Sequence, residues 1–230
     1  MIKIIFQNML KKFGKNYELD SNIPNGLIIT FLSQRMIMLF RGFILLRRKI
    51  FLGKNCSVLN KSGVILGKNV TIEDYSKIDG YAKNKVIIGD NCKIGKYSTI
   101  SCTSHMSKYG KGFKMGNNSS CGQFTEFGSA GGITIGDDVI MGSYISFHSE
   151  NHNFNDITKL IREQGVTSKG IILGNNIWVG AKVTFLDGTT VGNNCVIAAG
   201  AVLNKEYPDN VIIGGVPAKV LREITNKSAL

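Results

Sequence analysis

A six-residue repeat runs through most of this chain and limits what it can fold into. Hexads recur between Leu52 and Val202 on one plan: an aliphatic residue leads, Gly usually follows, and a small or apolar residue takes the fifth place. Clear copies are LGKNCS, LGKNVT, IGDNCK, IGKYST, IGDDVI, LGNNIW, VGAKVT and VGNNCV. Each hexad predicts a short extended segment with one buried aliphatic side chain, followed by a turn that Gly, Asn or Asp can make. Because one segment cannot bury that side chain alone, the coils must stack into a solenoid with a shared core.

The composition suits short strands and tight turns, and it narrows the cellular setting. The 230 residues include 27 Gly, 3 Pro and five cysteines without CxxC spacing. The odd cysteine count argues against a disulfide framework or a zinc ribbon and favours a reducing cytoplasm. Cys56, Cys92 and Cys195 take the fifth place of their hexads, and Cys121 takes a leading place. We therefore expect small buried hydrophobes rather than acyl-carrying nucleophiles.

Positive charge is concentrated at the start of the chain. The formal net charge is +12, and residues 1–55 hold ten Lys or Arg against Glu18 and Asp20. Basic chains often bind nucleic acid, but this sequence has no zinc-finger spacing, no aromatic RNP-like segment and no convincing helix-turn-helix pattern. We therefore expect no nucleic acid, and favour an anionic membrane surface or a phosphorylated cofactor as the partner.

The apolar segment Gly26–Leu46 predicts a helix within this basic region. Arg35 and Arg41 inside it disfavour a membrane-spanning role. Two interpretations stay open, since an amphipathic pattern does not separate them. In one, the helix packs against the solenoid or a partner subunit. In the other, residues 26–49 lie on a membrane with their basic side chains at the headgroups, and the protein works at the cytoplasmic face on a lipid-linked glycan precursor.

Breaks in the repeat divide the chain. We predict an N-terminal helical segment at 1–50, a repeat domain at 51–215, and a C-terminal helix with a tail at 216–230. A short break covers Met106–Lys114, and a longer loop excursion covers 153–172. Long loops on a rigid scaffold commonly carry function.

Two of the three histidines lie just before the longer excursion, in SFHSENHNFND. In the hexad register His148 points outward, which is typical of a solvated edge. His152 ends a hexad where the chain leaves the coil and a cleft can form. Histidine suits a general base, because its ordinary pKa leaves much of it neutral near pH 7. Glu150, two residues before His152, is a candidate to orient the ring.

These features together resemble the hexapeptide-repeat acyltransferases, most closely the galactoside, maltose and capsule or O-antigen O-acetyltransferases. The resemblance covers Leu52–Ile224 and rests on the hexads, the NHNF segment, NNIWVGAKV, CVIAAGAVLNKEYP and GGVPAKVLREI. It implies a mainly β fold: a left-handed parallel β-helix of hexapeptide repeats, with an N-terminal helical segment and a short C-terminal helix. It also implies a homotrimer with active sites between subunits.

The chemistry and its residues follow from the same resemblance. Acetyl-CoA would be the donor, a sugar hydroxyl of a surface glycan or its precursor would be the acceptor, and no metal would be needed. His152 would be the general base of a direct transfer. The positions implied to contact CoA are Ala181, Ala199, Asn204, Lys205, Lys219 and Arg222. Two departures affect the acceptor: Gly122 and Gln123 stand where the family has an assisting Asn, and Asn153 follows His152 in place of Pro.

Other functions stay open. An amino sugar could accept the acetyl group, because the same base chemistry serves an amine. His105, His148 and His152 could hold zinc for carbon dioxide hydration, although the H-x3-H spacing is one residue shorter than expected there. The solenoid could also be a non-catalytic binding scaffold. Trp178 either packs in a coil or forms a wall of the acetyl or sugar pocket.

Overall fold

The computed structural model, which describes residues 2–12 and 18–225, contains two compact units. The first unit is Met1–Phe51 and the second is Leu52–Leu230. The end of the predicted C-terminal tail, residues 226–230, lies outside the described residues.

Two helices form the first unit: α1 at Ile2–Lys12 and α2 at Asn25–Leu46. They bury Phe6, Leu10 and Ile28 between them, which confirms the predicted N-terminal helical segment. Only Gly fits at position 42, since a Cβ there would overlap the carbonyl oxygen of Ile50. By length and composition α2 would suffice to cross a membrane, a property shared by core helices of soluble proteins and by signal sequences.

Short strands make up nearly all of the regular structure that follows. In chain order they are β1 (Phe51–Leu52), β2 (Ser57–Leu59), β3 (Val64–Leu66), β4 (Thr71–Ile72), β5 (Lys77–Asp79), β6 (Val86–Ile88), β7 (Lys93–Ile94), β8 (Thr99–Ser101), β9 (Phe113–Met115), β10 (Glu126–Gly128), β11 (Ile133–Ile135), β12 (Ile140–Met141), β13 (Ser146–His148), β14 (Asn151–His152), β15 (Val166–Thr167), β16 (Ile171–Leu173), β17 (Trp178–Val179), β18 (Thr184–Leu186), β19 (Thr190–Val191), β20 (Val196–Ile197), β21 (Val202–Leu203), β22 (Glu206–Tyr207), β23 (Val211–Gly215) and β24 (Ala218–Glu223). Most have two or three residues, as expected if each hexad supplies one strand.

The strands of the second unit stack on three sides of a coil. Side A contains β4 and β7, then β12, β17, β20 and β23; side B contains β2, β5, β8, β10, β13, β18 and β21; side C contains β3, β6, β9, β11, β16, β19 and β22. The chain passes from A to B to C in each coil, so the turns form three edges, named AB, BC and CA. Neighbouring strands are parallel, with Phe127 opposite both Ile100 and Phe147. This confirms the predicted solenoid and the mainly β, left-handed parallel β-helix.

Large side chains from adjacent coils form the core. Phe127, Phe147 and Phe185 on side B stack with ring centroids 4.9 and 4.5 Å apart. Phe113 from side C meets Phe127 edge-on at 5.0 Å. These four rings are at most 1% exposed. The repeated apolar position of the hexads is therefore the core position of the coil.

The turns differ between two of the edges. At edge CA the left-handed residues are those the sequence predicts: Asn69, Asn91, Asn118, Asp138, Asn176, Asn194 and Asn210. At edge AB four successive left-handed positions are aromatic instead: Tyr75, Tyr97, Phe124 and Tyr144, with φ of 56–61°. A bulky residue is strained there. Their rings stack nearly parallel with centroids 4.9–5.0 Å apart, and each pair contributes about 0.5–1.5 kcal/mol, which offsets the strain.

The short C-terminal helix predicted within residues 216–230 is absent from the described part of that range, residues 216–225, so the prediction is wrong there. Ala218–Glu223 form β24, which pairs antiparallel with β23. The spacing of Val220, Leu221 and Ile224 does not distinguish a helix from a strand over so short a run. The strand is favoured because β23 ends its sheet, and β24 satisfies the backbone groups of that otherwise open edge.

Candidate functional site

Two long loops leave the coil at edge BC. One spans residues 102–112 between β8 and β9, and the other spans 149–170 between β13 and β16. They correspond to the two breaks in the repeat. The longer loop contains the antiparallel pair β14 and β15, so it is an ordered excursion with its own hydrogen bonds.

Polar side chains join the two loops. Glu150 accepts hydrogen bonds from Ser104 Oγ at 3.2 Å and Lys108 Nζ at 3.3 Å. Lys108 also donates to Ser168 Oγ at 2.8 Å, and Lys111 Nζ donates to the Ser168 carbonyl at 3.1 Å. Such partly exposed ion pairs contribute about 0.2–1 kcal/mol each. Sequence reasoning missed this network, because its members lie far apart in the chain and only the coil brings them together.

His152 lies on the outgoing arm of the longer loop, in β14 opposite Val166. Asn153 Nδ2 donates to the Gln164 carbonyl at 3.0 Å, which holds the backbone just after the histidine. The imidazole is exposed and accessible to a substrate. Glu150, considered as the group that orients this ring, contacts Ser104 and Lys108 instead.

His148 is exposed and points outward, as the sequence predicts, and it also lines a cavity. It lies on β13, faces outward from side B, and lines a cavity of about 240 Å³. Glu126, Glu150, Ser101 and Ser104 also line this cavity, whereas His152 does not. The sequence predicts a solvated edge for His148; the structure places it beside two carboxylates.

His105 lies on the shorter loop and contacts its own neighbours. Its Nδ1 is 2.7 Å from Ser107 Oγ and accepts the Ser107 backbone N–H at 3.1 Å. Within residues 2–12 and 18–225, no three His, Cys, Asp or Glu side chains gather as a metal ion would require. The zinc alternative with His105, His148 and His152 therefore lacks its ligand set in this chain.

The residues implied to contact CoA lie at other places on the coil. Ala181 and Ala199 occupy successive exposed turns of edge AB, and Gly200 N donates to the Ala181 carbonyl at 2.9 Å. Gly180 precedes Ala181, and a Cβ there would lie 2.5 Å from Ala199 N. Edge AB at these coils therefore contains small residues at Gly180, Ala181 and Ala199, with Lys182 next to them in the same turn.

The remaining CoA candidates lie in the last coil. Asn204 and Lys205 form the exposed turn of edge BC between β21 and β22. Lys219 and Arg222 are exposed on β24. Asn204 and Lys205 are adjacent in one turn, and Lys219 and Arg222 lie three residues apart on one strand.

His152 and the edge AB positions are separated within one chain. Side B lies between edge AB, which carries Ala181 and Ala199, and edge BC, which carries the His152 loop. A strand of three residues spans about 10 Å at roughly 3.3 Å per residue. One chain alone therefore does not gather the predicted base and these CoA positions at one edge.

Four of the five cysteines are core residues, as predicted, whereas Cys56 is only half-buried. Cys92, Cys102, Cys121 and Cys195 are at most 1% exposed. Burial raises the pKa of Cys92 to about 11 and that of Cys102 to about 12, and it also raises the pKa of Cys121 and Cys195. Because the thiolate is the nucleophile, these four thiols are unsuited to carry an acyl group.

Trp178 does not pack inside a coil. It lies on β17, is 61% exposed, and stands between Ile140 and Val196 on the outer face of side A. An exposed ring can contribute to a binding surface, so the pocket-wall interpretation agrees better with its position.

Known families match the repeat region. Residues 170–205 match the family described as bacterial transferase hexapeptide (six repeats). Residues 51–73 and 85–104 match the hexapeptide repeat of succinyl-transferase.

Individual proteins are similar over longer stretches. The galactoside O-acetyltransferase of Escherichia coli is 36% identical over 96 residues. These residues are 41% of this chain and 46% of the relative, so the chain spans about half the length of that protein. An E. coli protein named as a lipopolysaccharide biosynthesis O-acetyl transferase, WbbJ, is 23% identical, with coverage of 82% of this chain and 92% of the relative. The solved N-acyltransferase AntD of Bacillus cereus shares the fold at a TM-score of 0.53 and 18% identity, covering 78% of this chain and 84% of AntD. Over these stretches the chain resembles the hexapeptide-repeat acyltransferases in sequence.

Proposed function

We propose that this chain is an acetyl-CoA-dependent O-acetyltransferase acting on a sugar hydroxyl of a surface glycan or its precursor. The observation that carries the proposal is the exposed His152 on an ordered loop of a hexapeptide-repeat coil whose edge AB presents Ala181 and Ala199. The names of two relatives, a galactoside O-acetyltransferase and a lipopolysaccharide biosynthesis O-acetyl transferase, support the acceptor class.

His152 would act as the general base of a direct transfer. Its neutral imidazole removes the proton of the sugar hydroxyl as that oxygen attacks the thioester carbonyl. A backbone N–H stabilises the oxyanion that forms. When this intermediate collapses, the C–S bond breaks, and the CoA sulfur leaves with the proton returned by the imidazolium. The products are the acetyl ester and CoA thiol.

The donor would lie along edge AB. The backbone at Ala181 and Ala199 would hydrogen bond to the pantetheine amides, because both residues are exposed and have small side chains. Lys205, Lys219 and Arg222 supply exposed cations for the phosphates of CoA, with Asn204 beside them.

We also propose a homotrimer whose sites form between subunits. Edge BC of one subunit carries His152 and edge AB of the next carries Ala181, so their apposition would complete the site that one chain leaves divided. Subunit mixing of two inactive variants tests it.

The proposed activity predicts acceptor-dependent thiol release. With acetyl-CoA and a panel of free, nucleotide-linked and polymeric sugars, we expect release to rise only when a suitable hydroxyl acceptor is present. An amino sugar and its N-acetylated form separate O- from N-transfer, since only an O-transferase acetylates both. Release confined to the amino sugar would contradict the proposed acceptor class, and no release with any sugar would contradict the activity.

The N-terminal unit would hold the enzyme at an anionic membrane. Six apolar side chains on α2 are spaced to share one face, and each is 53–67% exposed. We term them the α2 apolar face: Ile29, Met36, Ile37, Phe40, Phe43 and Ile44. Arg47 and Lys49 are exposed where the helix ends. An apolar face with cations at its end matches an anionic lipid surface in both hydrophobicity and charge.

Lying on the membrane fits α2 better than crossing it. Ile28 and Gly42 mark a stripe that packs within the first unit, so lipid would not surround the helix. Arg35 stacks over the Phe51 ring at 3.2 Å, also within this unit. A spanning helix would place Arg35 and Arg41 in hydrocarbon, which is costly. The protein would then work at the cytoplasmic face, where a lipid-linked precursor is accessible.

Vesicle flotation tests this placement. We expect the chain to float with phosphatidylcholine vesicles that contain phosphatidylglycerol, and much less with phosphatidylcholine alone. Phe40→Ser with Phe43→Ser should weaken binding by about tenfold or more, because each buried ring contributes on the order of 1–2 kcal/mol. The control is Phe154→Ser, which removes a ring of similar exposure, 68%, from the second unit. Equal flotation of both variants, or loss of the oligomer in the first, would contradict the membrane assignment.

A further inference from the structure

A groove on side C is lined by four lysines. Its volume is about 360 Å³, and its rim carries Lys85, Lys111, Lys114 and Lys169. The strands β6, β9, β11 and β16 contribute to its wall. It is distinct from the cavity beside His148 and from edge AB, and nothing in the proposed transfer chemistry uses it.

Glycines keep the floor of this groove open. Gly112, Gly132 and Gly170 line it with φ of 132°, 92° and 98°. A side chain is strained at such angles, and a Cβ on Gly170 would lie 2.9 Å from the carbonyl oxygen of Gly131. The floor is therefore backbone that a ligand can approach closely.

The four groove lysines form no ion pair with a carboxylate in the described part of the chain. Some lysines of the second unit pair with carboxylates, as Lys93 does with Glu73 at 3.9 Å and Lys96 with Asp74 at 3.8 Å. None of the four groove lysines lies within 4.0 Å of a described carboxylate oxygen, and no Asp or Glu lines the groove. Four ammonium groups around one concavity repel each other, so an anion that bridges them is favoured.

The groove is attached to the loop that carries His152. Lys169 stands at the returning end of that loop, and the Lys169 and Gly170 N–H groups donate to the Asp187 carboxylate at 2.7–2.9 Å. Lys111 is tied to Ser168 of the same loop. A ligand in the groove would therefore contact the end of the shorter loop, at Lys111, and the returning end of the longer loop, at Lys169.

We infer that this groove binds the diphosphate of the acceptor, a nucleotide-linked or lipid-linked sugar. The inference rests on the proposed function, and it narrows the acceptor from any sugar to one that carries a diphosphate. Lysine binds phosphate as a point charge, and a groove of this size can hold two phosphoryl groups and part of what they carry. The phosphates of CoA are assigned to Lys205, Lys219 and Arg222, on the last coil.

Calorimetric binding of inorganic pyrophosphate to the full chain tests the groove without requiring turnover. Lys85→Glu with Lys114→Glu should weaken binding at least tenfold. The matched control, Lys68→Glu with Lys77→Glu, changes the net charge equally at exposed positions outside the groove and should change affinity less than twofold. Uridine diphosphate and a short prenyl diphosphate are then compared, and the tighter ligand identifies the source of the diphosphate.

The inference is wrong if the parent chain binds no pyrophosphate, or if both double variants weaken binding equally. It is also wrong if adenosine 3′,5′-bisphosphate displaces pyrophosphate, because that result would assign the groove to CoA. Its failure differs from failure of the proposed function. Thiol release with a neutral sugar but no diphosphate binding would support the proposed function and contradict the groove assignment. Diphosphate binding without thiol release would support the groove assignment and contradict the proposed function.

Discussion

His152→Ala is expected to lower acceptor-dependent release of CoA thiol by about 10²–10⁴-fold, the usual contribution of a general base. Affinity for acetyl-CoA should change little, because the donor is assigned to edge AB and His152 to the loop at edge BC. Thiol release under saturating donor, with donor affinity measured separately, distinguishes a lost base from a lost binding site. The fold should persist, since the imidazole is exposed and belongs to a loop.

His148→Ala is the matched control. His148 is the other imidazole near edge BC and lines a cavity with Glu126 and Glu150. If His152 is the base, removing His148 should cost well under tenfold. Loss of activity in His148→Ala, with activity kept in His152→Ala, would move the base to the cavity on side B.

Mixing subunits adds a test that no single variant provides. His152→Ala and Ala181→Trp should each be inactive alone, the second because the indole covers the exposed backbone of edge AB. Refolded together, mixed trimers contain interfaces that pair an intact His152 with an intact Ala181. Recovery of part of the activity is expected. No recovery, with mixed trimers demonstrated by mass, would place both residues in one chain's site.

Phe147→Ala is expected to destabilise the second unit by about 3–5 kcal/mol, as for large aromatic residues removed from a core. The ring is fully buried between Phe127 and Phe185, with centroids 4.9 and 4.5 Å away. Parallel coils cannot close the gap independently, because backbone hydrogen bonds fix their spacing. Urea unfolding followed by far-ultraviolet circular dichroism measures the change.

Phe124→Ala is the corresponding control outside the core. Phe124 also stacks between two rings, Tyr97 and Tyr144, but it is 42% exposed. We expect a loss of about 1–2 kcal/mol from ring contacts, partly offset because Ala is less strained than a bulky residue at a left-handed φ of 56°. Equal destabilisation by the two substitutions would contradict the assignment of core and surface.

Local pattern predicted much of this fold. Hexad spacing predicts that Phe127, Phe147 and Cys195 are buried in the coil. The reason is that equivalent hexad positions all face the core that the stacked coils share. The same logic predicts Asn at the left-handed turns of edge CA. It does not predict Tyr97 or Phe124 at edge AB, where stacking between coils overrides the preference of the single residue. It also misassigns Ala218–Glu223, whose conformation depends on the open edge of β23.

Some features of the candidate site were likewise predictable from the sequence, and others depended on the tertiary structure. The sequence by itself determined the repeating coil, the buried thiols, and the position of His152 at the start of an excursion, because each depends on residues close together in the chain. Only the tertiary structure decided that Glu150 contacts Lys108 and Ser104, that His148 lines a cavity, and that four lysines surround one groove. Those side chains lie tens of residues apart, and the winding of the coil, which sets which turns share an edge, determines whether they meet.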